Sequence, residues 1–131
     1  MAINVDFGGA LKRFREERTL SLRELAILSE VDHAYIHRLE SGEKIAPSAE
    51  IFEKLVRGLK LAAHKRQLLE ILSKAGALDS ELVELGLEDP KRMDAIQVAA
   101  TMSFRGARPQ SKMEWDKKLT QIEALLGNDR R

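Results

Sequence analysis

Cysteine is absent from this chain of 131 residues. That excludes disulfides, thiolate metal sites and cysteine nucleophiles, and it suits a reducing compartment. Aromatic residues are scarce at 5%, so Leu, Ile, Val and Ala carry the 44% apolar content, a bias toward helices rather than sheets. Alternation of period two, the mark of a half-buried strand, is not apparent. No apolar run approaches membrane-spanning length. The first twenty residues, interrupted by Lys12, Arg13, Arg15 and Arg18, do not read as a signal peptide, so a cytoplasmic location without membrane attachment is expected. No excess of one charge exists either: 22 basic side chains face 21 acidic ones. Residues 1–78 carry 13 basic and 11 acidic groups and residues 79–131 carry 9 and 10, so any nucleic-acid face must be local.

What is present is helix after helix, separated by cap signals. Phe7, Leu11 and Phe14 form one apolar stripe. Ser21 and Glu24 read as a capping box opening a helix over 22–29, with Leu20 and Leu25 placed to staple its start. Asp32 caps a third helix carrying Ile36 and Leu39, and Gly42 ends it. Pro47 and Ser48 open a fourth, and a fifth is expected over 63–75, stopped by Gly76. Asp79 then reads as the cap of a short helix to Leu85, and Asp89-Pro90 as the start of a helix to about Met102. After the loop SFRGARPQS, Ser111 and Glu114 form a second capping box for a last helix with a Trp115–Leu119–Ile122–Leu126 stripe.

HAYIH, residues 33–37, places His33 and His37 on one face of a helix. A zinc site needs more: a third ligand, a second shell and, for a zinc protease, Glu after the first His, where Ala34 stands. No metal, cofactor or catalytic constellation is therefore expected. Two helices joined by a very short turn, the second polar on one side, read instead as a helix-turn-helix that presents its second helix to a DNA major groove.

The stretch LSLRELAILSEVDHAYIHRLESGEKIAPSAEIFEKLVRGL resembles the lambda-repressor-like, XRE-type DNA-binding domain over about residues 7–60. Its E-L-A, Y-I-x-R-L-E-S-G and P-S segments agree with that family in order and spacing. The resemblance implies an all-α fold with a five-helix domain over 1–77 and a small helical dimerisation region over 78–131. It implies base reading by Asp32, His33, Ala34, His37 and Arg38, with Arg38 suited to guanine O6 and N7. Arg15, Arg23, Tyr35 and Lys44 are the phosphate candidates, Tyr35 having packing between helices as its alternative. In this family an Arg at position 15 often pairs with a Glu at position 40. Leu22 stands where the family commonly has a phosphate-clamping Gln, and Glu30 where it often has Gly in the turn.

Specific binding to a double-stranded operator normally takes two such domains, so a homodimer is expected. The Trp115, Leu119, Ile122 and Leu126 stripe is the candidate dimerisation face, and covering the chain's own helix 90–102 is its other use. MSFRGARPQSKMEW resembles the C-terminal segment of DdrO-type damage-response repressors through Arg105, Gly106, Arg108, Pro109, Lys112 and Trp115. Those repressors are inactivated by an IrrE/ImmA-type zinc metalloprotease, and the equivalent cut here falls between Phe104 and Arg105. An ordinary helix–helix loop, with Gly106 at positive φ and Pro109 as a stop, is the plainer use of the same residues. Two other functions share the first half: an antitoxin that represses its own operon and holds a toxin with its C-terminal helices, and a protein-interaction module that no longer binds DNA.

Overall fold

The computed structural model describes residues 3–44, 46–104 and 106–127. In chain order these form β1 (Asn4–Asp6), α1 (Phe7–Glu17), α2 (Leu22–Ser29), α3 (His33–Glu40), α4 (Ala49–Leu59), α5 (Ala63–Ala75), β2 (Ala77–Asp79), α6 (Ser80–Glu88), a 3-10 turn (Pro90–Arg92), α7 (Met93–Ala99) and α8 (Lys112–Leu125). The fold is mainly helical, as the composition implies, with one correction. β1 and β2 pair antiparallel, Asn4 opposite Asp79 and Val5 opposite Leu78. Three-residue strands are too short to print a period-two pattern, which is why the sequence conceals them.

Four helices, α1, α2, α4 and α8, start at a side-chain cap. Asp6 Oδ1 accepts the Gly9 N–H at 2.8 Å and starts α1. At Ser21 the capping box is complete: its Oγ accepts from Glu24 N–H at 3.0 Å, and Glu24 accepts from Ser21 N–H at 2.8 Å. Ser48 accepts from Ile51 N–H, and Ser111 from Glu114 N–H. Two expected caps differ. Asp32 and Asp79 occupy N-cap positions without a side-chain bond to their helices. Asp79 is instead taken by Arg108 Nη2 at 2.8 Å, and α6 runs on to Glu88. The helix expected over 90–102 is shorter too. Pro90 opens a 3-10 turn in which Asp89 accepts from Lys91 N–H, and only Met93–Ala99 is α-helical.

One apolar core runs through the molecule. α1, α2, α3 and α4 enclose Leu11, Phe14, Leu25, Ile36, Leu39 and Leu55, all essentially inaccessible. α5 contributes Leu68, Leu69 and Leu72 and packs on α1, α6 and α7. α8 lies on α6 and α7 and closes the far end with Trp115, Leu119 and Ile122. The expected division at 77/78 falls inside β2, and an Arg13–Glu84 ion pair at 2.5 Å joins α1 to α6. No helix among the described residues is long and apolar enough to cross a membrane.

Candidate nucleic-acid interface

α2 and α3 are joined by three residues, and the turn is built from local chemistry. Glu30 adopts φ 61°, ψ 32°, the left-handed conformation that the family meets with Gly. Ser29 is fully buried beside it; its Oγ donates to Leu25 C=O at 2.7 Å and accepts from Val31 N–H at 3.3 Å. A buried hydroxyl satisfied on both sides fixes the exit from α2. Gly58 of α4 backs onto this point, where a Cβ would stand 2.8 Å from Ser29 Cβ.

α3 is fixed to α1 by two further devices. Gly8 faces the carbonyls at its end, and a Cβ there would meet Leu39 O at 2.1 Å. Beside it Arg15 grips Glu40 through two bonds, Nε to Oε2 at 2.7 Å and Nη2 to Oε1 at 2.9 Å. Arg15 Nη1 also donates to Leu20 C=O at 2.8 Å. Hydrogen bonding to Glu40 raises the Arg15 pKa against the opposing effect of burial, so the cation is permanent. Three of its five N–H groups are thereby used internally, which leaves one on each Nη for anything outside.

The candidate base-reading residues lie along α3. Asp32 and His37 are exposed; His33, Ala34 and Arg38 are half-buried. His33 Nδ1 sits 3.6 Å from Asp32 Oδ1, beyond hydrogen-bonding distance. Among the described residues no group of three His, Asp or Glu side chains is placed to hold a metal ion. Arg23 and Lys44 are exposed flanking cations. Tyr35 is half-buried against the core, with the Arg38 guanidinium and the Lys44 ammonium both near its ring. Leu22 also packs partly against the core.

Gly8, Ser29 and Gly58 were not singled out by sequence reasoning. The signal for the glycines was present: a Gly inside a helix costs about 1 kcal/mol relative to Ala, so its place there suggests a close approach. The signal for Ser29 was weaker, a Ser one residue before a turn.

The comparisons agree with this geometry. Residues 6–69 match the family described as "Helix-turn-helix domain". Those residues are a helix-turn-helix domain. The chain is also 29% identical over 126 residues to the HTH-type transcriptional regulator DdrOP3 of Deinococcus deserti, covering 88% of this chain and 95% of that protein. It is 40% identical over 55 residues to the HTH-type transcriptional repressor RghR of Bacillus subtilis, covering 42% of this chain and 41% of that one. The first likeness extends well past the helix-turn-helix domain into α6–α8.

In that later region the four residues of the stripe divide. Trp115, Leu119 and Ile122 are buried in the chain's own core, against α6 and α7. Leu126 is 44% exposed, and Leu125 beside it more so. The loop before α8 is pinned on both sides. Phe104 meets Trp115 edge-on at 5.7 Å, while Arg108 lies 5.1 Å from the centres of both rings and pairs with Asp79. Pro109 is buried; Gly106, at φ 84°, and Ala107 are exposed. Arg105, half of the expected cleavage bond, lies outside the described residues.

Proposed function

We propose that this chain is a sequence-specific DNA-binding transcriptional repressor that acts as a dimer. The observation that carries the reading is α3 itself. It is locked to the body through Gly8 and the Arg15–Glu40 grip, while Asp32 and His37 face solvent and Arg38 is half exposed. A rigid helix with uncommitted polar groups at its start and outer face suits a major groove. The exposed Arg23 and Lys44 suit its phosphate rims. The two relatives support the same reading, since one is named a regulator and the other a repressor of the helix-turn-helix type.

Random-site selection on duplex DNA at low salt tests the proposal. Paired half-sites spaced by about 34–36 Å of helix are expected. Recovery of no enriched sequence sinks it.

The dimer in this reading uses apolar surface left outside the monomer. Leu125 and Leu126 remain exposed at the end of α8, whereas Trp115, Leu119 and Ile122 support the interface from behind. Repression ends by cleavage between Phe104 and Arg105 by a metalloprotease of the IrrE/ImmA type, supplied in trans. The support is the loop sequence, the exposed Gly106 and Ala107 beside the bond, and the likeness to a DdrO regulator over most of the chain. Cutting there disconnects α8 and removes Trp115 from the core. Two linked half-site contacts then become independent and their effective-concentration gain is lost. Incubation with such a protease followed by mass spectrometry checks the step; an intact chain, under conditions that cut a known substrate, argues against it.

A further inference from the structure

Two cations at the edge of the recognition helix converge on one aromatic ring. The Arg38 guanidinium carbon is 5.9 Å from the centre of the Tyr35 ring, and the Lys44 ammonium nitrogen is 5.6 Å from it. The backbone brings them there. After α3 the chain turns at Gly42, φ 85°, and Lys44 N–H donates to the Arg38 carbonyl at 3.0 Å. Ser41 Oγ donates to the same carbonyl at 3.2 Å. The Tyr35 ring, half-buried against the core, is the fixed member of the group.

Two further observations give this cluster a direction. Neither Arg38 nor Lys44 has a carboxylate partner among the described residues, so their charges are unneutralised. Arg38 Nε is buried without an acceptor, which leaves the terminal amino groups as the donors open to an outside partner.

We infer that Tyr35 is a positioning residue for DNA recognition: its ring holds Arg38 and Lys44 as one pre-ordered cationic pair. Arg38 then offers its Nη1–Nη2 edge to a base, and Lys44 offers its charge to a neighbouring phosphate. The inference rests on the DNA-binding reading given above. Ordering two long, flexible side chains normally opposes binding. Here the ring supplies much of that order before DNA arrives, because a cation over an aromatic face is attracted to its negative quadrupole. The Tyr35 hydroxyl has no part in this role.

The test uses the full-length chain and the duplex recovered by random-site selection. Tyr35→Phe keeps the ring and is expected to bind within about twofold of the parent. Tyr35→Leu removes it and is expected to bind about five- to tenfold more weakly, the sum of two exposed cation–aromatic contacts. Tyr35→Met takes its place if circular dichroism shows the Leu variant unfolded. Lys44→Ala is then expected to cost less affinity in the ring-less background than in the parent, because a residue acting through Lys44 is not additive with it. A merely structural role would leave the two costs additive, and that result overturns the inference. So does Tyr35→Phe binding as weakly as Tyr35→Leu, which would assign the effect to the hydroxyl on a phosphate. If the parent binds DNA and Tyr35→Leu binds equally well, the inference alone falls. If the parent enriches no duplex, the DNA-binding reading falls first and takes the inference with it.

Discussion

Arg92 and Glu123 meet in a buried seam between the 3-10 turn and α8, Nε to Oε2 at 3.3 Å, with both side chains almost wholly inaccessible. Asp116 and Thr120 complete the Arg92 site from the same helix. Burial pulls the Arg92 pKa down, but hydrogen bonds to Asp116 and Glu123 outweigh it and leave the pKa raised. Removing one member of a buried pair strands the other, which costs more than the pair itself contributes. Glu123→Gln leaves Arg92 its Asp116 carboxylate but removes the buried charge it faces, and is expected to destabilise the fold by about 2 kcal/mol. The apolar double replacement Arg92→Met with Glu123→Leu should cost distinctly less. Urea unfolding of the three proteins decides it; a single variant within about 0.5 kcal/mol of the parent, the scatter of ordinary surface changes, would show that the seam tolerates the loss.

Gly8 and Gly76 make a contrasting pair. A Cβ at Gly8 enters the Leu39 carbonyl, so Gly8→Ala must drive α1 and α3 apart, at a cost of about 3 kcal/mol or more. At Gly76 nothing stands within 4 Å and only its φ of 87° resists a side chain. Gly76→Ala should cost less, about 2 kcal/mol, the strain of an L residue at φ 87°, ψ −49°, outside the left-handed helical well. Chemical denaturation measures both, and equal losses would refute the packing argument.

The Glu24 carboxylate titrates below its ordinary range, first because Ser21 N–H donates to it and then because of the Ser21 hydroxyl. A depressed carboxylate contributes stability above its unfolded pKa and loses it as pH falls through the folded one. The contribution is thus complete at neutral pH, begins to fall near about pH 4.3, the usual Glu value, and is gone only below the lower folded one. Glu24→Gln should remove part of the acid dependence of unfolding in that window while leaving the dependence above about pH 6 unchanged. Superimposable acid limbs would show that the capping carboxylate does not contribute.

Much of this molecule can be read from its residues, and the exceptions have a physical pattern. α2 and α5 lie where their periodicity and flanking signals put them, because caps and apolar spacing are local. The Arg15–Glu40 grip follows from a family pattern, and Glu30 takes the left-handed turn despite its side chain. What stayed hidden depends on distant partners. Arg92, Asp116 and Glu123 look like solvated charges until α8 folds over the turn. Asp79 looks like a cap until Arg108 arrives from a loop far along the chain. The stripe on α8 is equally apolar whether it faces another subunit or its own core, and spacing alone does not separate the two.

At the interface, Arg38→Ala and Lys44→Ala are expected to fail differently. Loss of Arg38 should cost about 1–3 kcal/mol of specific binding and relax the preference at one base position. Loss of Lys44 should weaken binding to all duplexes alike and lower the salt slope by about one. Binding isotherms at several salt concentrations separate the two, and identical behaviour would contradict the division into a base reader and a phosphate contact.

Trp115 is the sole tryptophan of the chain. It is wholly enclosed, stacked edge-on by Phe104 and flanked by the Arg108 guanidinium. The molecule therefore contains its own fluorophore at the joint between the loop and the last helix. Any event that lifts either one exposes the indole to water and shifts its emission to the red, in real time and without a label.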